Sequence, residues 1–85
     1  MSVVVGKLVK LRKHYASAVL WSRWDAYRFT SDDRSGTINN GDVALVIELY
    51  EEQAKDDMGF IAAGVKVYFN NTVGWLPLDW IEEAV

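Results

Sequence analysis

Between residues 65 and 77 the chain spells out a β-hairpin, and this segment constrains the fold more than any other. Val65, Val67 and Phe69 alternate with Lys66 and Tyr68, and a period of two sends the two sets to opposite faces of a strand. Asn70-Asn71 is the hairpin turn and residues 72–76 form the return strand. Pro77 ends that strand, because its ring nitrogen has no proton to give a ladder. Leu78-Asp79-Trp80 then fits one tight 3₁₀ turn, and residues 81–85 fit a short closing strand.

The remaining sequence adds strands of the same kind. Val9 and Leu11 alternate with Lys10 and Arg12, a half-buried pattern, with Gly6 at a turn or bulge before it. Residues 43–50 give the clearest strand, with Val43, Leu45, Ile47 and Leu49 expected to face the core. Residues 31–42 are rich in turn formers, and Asn40-Gly41 is a tight-turn dipeptide because both residues tolerate positive φ. Residues 51–59 are polar and loop-like.

Residues 14–30 can be read in two ways. As strands, Ala18-Val19-Leu20-Trp21 runs toward a turn near Ser22–Asp25 and returns through Tyr27-Arg28-Phe29-Thr30. As a helix, Ala16, Leu20, Trp24 and Tyr27 share one face. Periodicity does not separate these readings, and the β-branched and aromatic content favours a long hairpin-like excursion. There is no internal repeat and no low-complexity stretch. Short strands punctuated by turns point to a small all-β barrel or sandwich, and the length favours five strands.

Eighty-five residues fit one domain, taken as 1–85. A chain this short buries only roughly 60–65% of the surface its unfolded form exposes, so it needs a dense core. Four Trp, four Tyr and three Phe supply large area per side chain. With no Cys there is no disulfide framework and no thiolate zinc site, so the fold rests on packing. The apolar runs are far shorter than the roughly 20 residues of a spanning helix, and the start of the chain lacks the basic, apolar pattern of a signal peptide. The expectation is a soluble, unexported, cytoplasmic chain, or a virion component if the source is viral. Charge is uneven: residues 1–41 carry +4 and residues 42–85 carry −7. The plainest reading is that the two halves pair in one domain.

Two segments resemble the Src homology 3 fold. Residues 35–48, SGTINNGDVALVIE, resemble its diverging turn and second strand, with Ile38, Gly41 and Asp42 on matching positions. Residues 65–85 resemble its third strand, distal hairpin, fourth strand and closing turn, through Gly74-Trp75-Leu76-Pro77-Leu78-Asp79-Trp80-Ile81-Glu82-Glu83. The same stretch is similar to bacterial and phage SH3-like modules that end in a Gly-Trp-aliphatic sequence. The resemblance covers about 35 residues. It implies a five-stranded SH3-like barrel with residues 14–40 as a long excursion between its first and second core strands. Pro77 and Trp80 match two positions of the aromatic groove with which some members bind proline-rich peptides. The first-strand aromatic motif is replaced by Val9-Lys10-Leu11-Arg12-Lys13, and Gly64-Val65 stand where a Trp pair opens the third strand. Those departures remove the main stacking surface for a polyproline helix.

No constellation in the sequence carries catalysis. His14 is the single His, which with no Cys leaves no basis for a triad or a His-based metal site. Asp32-Asp33 and Asp56-Asp57 lack the alternating spacing of a calcium loop. The six Gly form no phosphate-binding loop. No cofactor is implied, and the chain reads as a non-enzyme.

Four Trp are more than so small a barrel interior holds, so at least one or two should be substantially exposed unless the excursion covers them. Exposed aromatics are enriched at interfaces. The leading expectation is therefore a protein-interaction module whose contact patch draws on Trp21, Trp24, Tyr27, Tyr68, Trp75, Pro77 and Trp80. The alternative is a self-associating structural component, such as a small virion or assembly protein, whose opposed charges support head-to-tail contact. An autonomous short chain suits that role. A weaker alternative is a nucleic-acid adaptor using the basic residues 7–13 with nearby aromatics, although the net charge of −3 opposes it.

Overall fold

The computed structural model describes residues 5–24, 33–55 and 61–84. Among them the backbone forms seven strands, β1 (Leu8–Leu11), β2 (Ser17–Trp21), β3 (Arg34–Asn39), β4 (Ala44–Lys55), β5 (Ile61–Phe69), β6 (Thr72–Pro77) and β7 (Ile81–Glu83), with a 3₁₀ turn at Leu78–Trp80. All pairings are antiparallel, in the order β3-β2-β6-β5-β4-β1-β7. The sheet curls into a half-barrel, so the chain is all-β as expected, but with more than five strands.

The two additional strands come from the excursion. Ser17–Trp21 is a strand, which removes the helical reading at that point. Its described partner on one edge is Arg34–Asn39; the expected return segment, Tyr27–Thr30, lies outside the described residues. Residues that looked like turn formers are thus strand, because Ile38 is buried and Gly36 packs against Thr72 and Leu20. Asp33 fastens the far end of this hairpin. Its carbonyl accepts from the Ser22 amide at 2.6 Å, and its carboxylate receives the Arg23 guanidinium at 3.0 and 3.1 Å. Asn40-Gly41 does turn, but only Gly41 has positive φ. The turn joins β3 to β4, which do not pair with each other.

The inner face holds Val9, Leu11, Leu20, Ile38, Val46, Val65, Val67, Leu76 and Ile81, each at most 2% exposed. The alternations read at Val9/Leu11 and Val65/Val67 therefore hold. On β4 the phase is reversed. Ala44 and Val46 face in, while Val43, Leu45 and Ile47 face out. The pairing of β4 with β5 slips between Val46 and Glu48, so Ile47 is the extra residue of a bulge. A bulge inverts every later side chain, and Leu49 consequently packs on the core as expected. β4 also runs on to Lys55, so the polar residues 51–55 are strand and not loop.

The hairpin at Asn70-Asn71 forms as read. Both Asn have positive φ, 52° and 60°, the pattern of a type I′ turn. Pro77, the 3₁₀ turn and the closing strand also fall where expected. β7 pairs with β1 through Leu11↔Ile81.

Candidate functional site

β2 and β6 meet at a single pair, Trp21↔Trp75. Continued antiparallel pairing would set Val19 opposite Pro77, and Pro77 has no N–H to offer. Instead β6 stays with β5 through Gly64↔Pro77 and then bends into the 3₁₀ turn. The two strands splay, and an open groove of about 400 Å³ lies between them. Ser17, Ala18 and Val19 line one side, Pro77 and Trp80 the other, and Trp21 and Trp24 the end. Its volume lies within the usual range for binding sites.

Each wall is held from behind. The Trp80 ring stacks on Tyr15 at 4.5 Å and 13°, and Tyr15 in turn meets His14 at 4.2 Å. The Arg12 amide donates to the Trp80 carbonyl at 2.9 Å, and Arg12 Nε donates to the Asp79 carbonyl at 2.8 Å. The Asn40 side-chain amide donates to the carbonyls of Arg12 and Tyr15 at 3.1 and 2.8 Å. The residue that shapes the turn before β4 therefore also fixes the segment behind Trp80.

Trp24 lies flat on Gly64. A Cβ at residue 64 would come within 2.5–2.7 Å of the indole atoms Cε2, Cδ2 and Nε1, so only glycine admits the ring this closely. The same indole stacks on Trp75 at 6.5 Å and 30°. Trp75 is 8% exposed, and Lys66 Nζ lies 5.9 Å from its ring centre and 3.9 Å from Glu48. The distance to the ring is within reach of a cation–π contact.

Of the expected contact residues, Trp21, Trp24, Pro77 and Trp80 come together in the groove. Trp75 supports Trp24 from beneath. Tyr68 does not join them: it stands at the distal hairpin, where its hydroxyl donates to Asn71 Oδ1 at 2.8 Å. Tyr27 lies outside the described residues. Trp75 is buried at the edge of the core, and Trp80 packs against the central cluster from outside. Trp21, Trp24 and Trp80 are half-buried, gathered around the groove and neither fully covered nor splayed into solvent.

Sequence reasoning missed Ser17, Ala18, Val19 and the role of Gly64. A glycine inside a strand that is otherwise apolar marks a close approach, and that was the available signal. Gly64 vacates a site, and an aromatic from the excursion fills it.

Comparison with protein-family models, curated proteins and solved structures returned no match. The chain's chemistry therefore rests on its own geometry. Among the described residues no group of three His, Cys, Asp or Glu converges as a metal site, and no helix is long and apolar enough to cross a membrane.

Proposed function

We propose that this chain is a non-catalytic protein-interaction module with an SH3-like barrel, and that its ligand is a protein segment seated in the groove between β2 and the 3₁₀ turn. The observation that carries this reading is the lining. Three indoles and a proline converge, and among the described residues none that line the groove is ionisable. Such a surface recognises apolar side chains, and its described residues offer no acid, base or nucleophile beyond the Ser17 hydroxyl. The fold assignment draws support from the order of elements: a strand, a two-stranded excursion, a turn, three meander strands, a 3₁₀ turn and a strand returning to β1. Trp24 restores an aromatic over Gly64, where the sequence alone left a gap.

The test is replacement of Trp24 by Ala. The ring lies outside the central core, so the domain should keep its fold while binding to peptide ligands weakens about tenfold or more, in line with loss of an interface aromatic. Unchanged binding refutes the assignment of the groove.

A second reading is self-association. Leu8, Leu45, Tyr68 and Val73 are register neighbours across β1, β4, β5 and β6. All four are exposed, at 37–47%, and a row of this kind is a candidate contact between copies. Solution mass from light scattering at low and high salt separates the readings. A defined oligomer that Leu45→Glu dissolves favours assembly, and a monomer at every concentration rejects it.

A further inference from the structure

The groove has a main-chain wall as well as an aromatic one. In an antiparallel pair, successive residues point their N–H and C=O alternately toward and away from the partner strand. Two bonds fix the parity along β2. The Asn40 amide donates to the Ala16 carbonyl at 2.8 Å, and the Ser22 amide donates to the Asp33 carbonyl at 2.6 Å. Ala16 and Ser22 flank the pairs Ser17↔Asn39 and Trp21↔Arg34, which are therefore pairs that exchange no bonds with β3. Ser17, Val19 and Trp21 thus direct their peptide groups away from β3, toward β6. Trp21 meets Trp75 there. Beyond that pair β6 departs, so the N–H and C=O of Ser17 and Val19 face the groove with no described strand to receive them. The position opposite Val19 belongs to Pro77, which cannot donate.

From this we infer that the groove binds its partner by strand addition: an extended peptide segment lies along β2, exchanges main-chain hydrogen bonds with Ser17 and Val19, and places an apolar side chain between Trp24, Pro77 and Trp80. This rests on the groove being the binding site and specifies the backbone form of what it takes. Ser17 and Val19 are about 6.8 Å apart along the strand, the repeat of alternate residues in a partner strand. A polyproline helix does not match this wall, because proline brings no N–H for the Val19 carbonyl. An extended segment with free amides at every second residue satisfies both sides.

The experiment starts with a displayed library of random linear 12-residue peptides selected on the 85-residue protein. Enriched sequences should alternate apolar and polar residues and should avoid proline at the pairing positions. The decisive variant is Val19→Pro. The Val19 N–H makes no bond to β3, so its loss leaves the β2–β3 ladder intact, and proline is tolerated where the donor side of a strand is unpaired. Affinity for a selected peptide should fall about tenfold, the effect of one unmet main-chain bond in a covered site. N-methylation of alternate amides in the peptide should give the same loss without altering the protein, which keeps the test valid should Val19→Pro unfold. Hydrogen exchange at the Ser17 and Val19 amides should slow on binding. Peptides that lose affinity on Trp24→Ala but ignore both Val19→Pro and N-methylation overturn strand addition and leave the groove as a side-chain site. Failure to select any peptide overturns both.

Discussion

Gly64→Ala isolates the Trp24 wall with a single methyl group. Gly64 does not have positive φ, so alanine meets no backbone objection there. In the unfolded chain the substitution removes conformational freedom, which by itself favours folding by about 0.4–1 kcal/mol. The opposing effect is steric. The new Cβ would lie 2.5 Å from Trp24 Cε2, against an optimal carbon–carbon separation of about 3.5–4.0 Å. The indole must retreat by about 1 Å or more. Overpacking costs about 1–3 kcal/mol where neighbours are fixed, and the half-buried Trp24 can swing outward, which selects the lower end. The two effects nearly cancel, leaving a stability loss of about 1 kcal/mol or less by urea denaturation. The wall is nonetheless displaced. Trp24 should leave its stack on Trp75, and tryptophan emission should shift to longer wavelength, a change that vanishes in a Trp24→Phe background. Peptide affinity should drop with it. A Gly64→Ala protein with unaltered emission and unaltered binding refutes the claim that Trp24 rests on Gly64.

Gly74→Ala should be far more damaging, by about 3 kcal/mol, because its Cβ would meet Leu20 Cβ at 2.5 Å, Ser35 Oγ at 2.6 Å and the Leu20 backbone. Ser35 cannot easily yield, since its hydroxyl proton is shared between the carbonyls of Leu20 and Val73 at 3.1 and 3.0 Å; chemical denaturation measures the difference from Gly64→Ala. Leu20→Ala should cost about 3 kcal/mol by the same assay with an unchanged denaturant slope, the mark of a cavity at a fully buried site. Asn70→Ala should cost about 1 kcal/mol, because alanine disfavours the left-handed region. Asn71→Gly should be nearly neutral, because glycine adopts the positive φ of 60° without steric cost, which offsets the lost exposed bond from Tyr68; thermal melts of the two variants should separate clearly.

The C-terminal half of the fold was readable because each of its signals is local. Alternation around Val65 and Val67, the paired Asn and the proline all act within a few residues, and the structure places every one as read. Three features were not readable, each for a non-local reason. The bulge at Ile47 reverses β4 because Val46 and Glu48 must both answer to β5. β3 pairs across the excursion, so its polar residues look like turn until Leu20 and Thr72 are brought beside them. Trp24 gains its role only by reaching Gly64 on another strand. The groove was half-visible for the same reason: the aromatics could be named from composition, but the exposed edge of β2 follows from where β6 stops pairing.

The contact between Trp24 and Gly64 also bears on how such a site would drift over evolutionary time. Two positions forty residues apart share one volume, so neither can change alone without cost. A large side chain replacing the glycine must be matched by a small one replacing the tryptophan, and the indole would then be donated by the sheet instead of the excursion. Relatives of this chain should therefore carry the ring at one position or the other, and their two residues should covary as a swap.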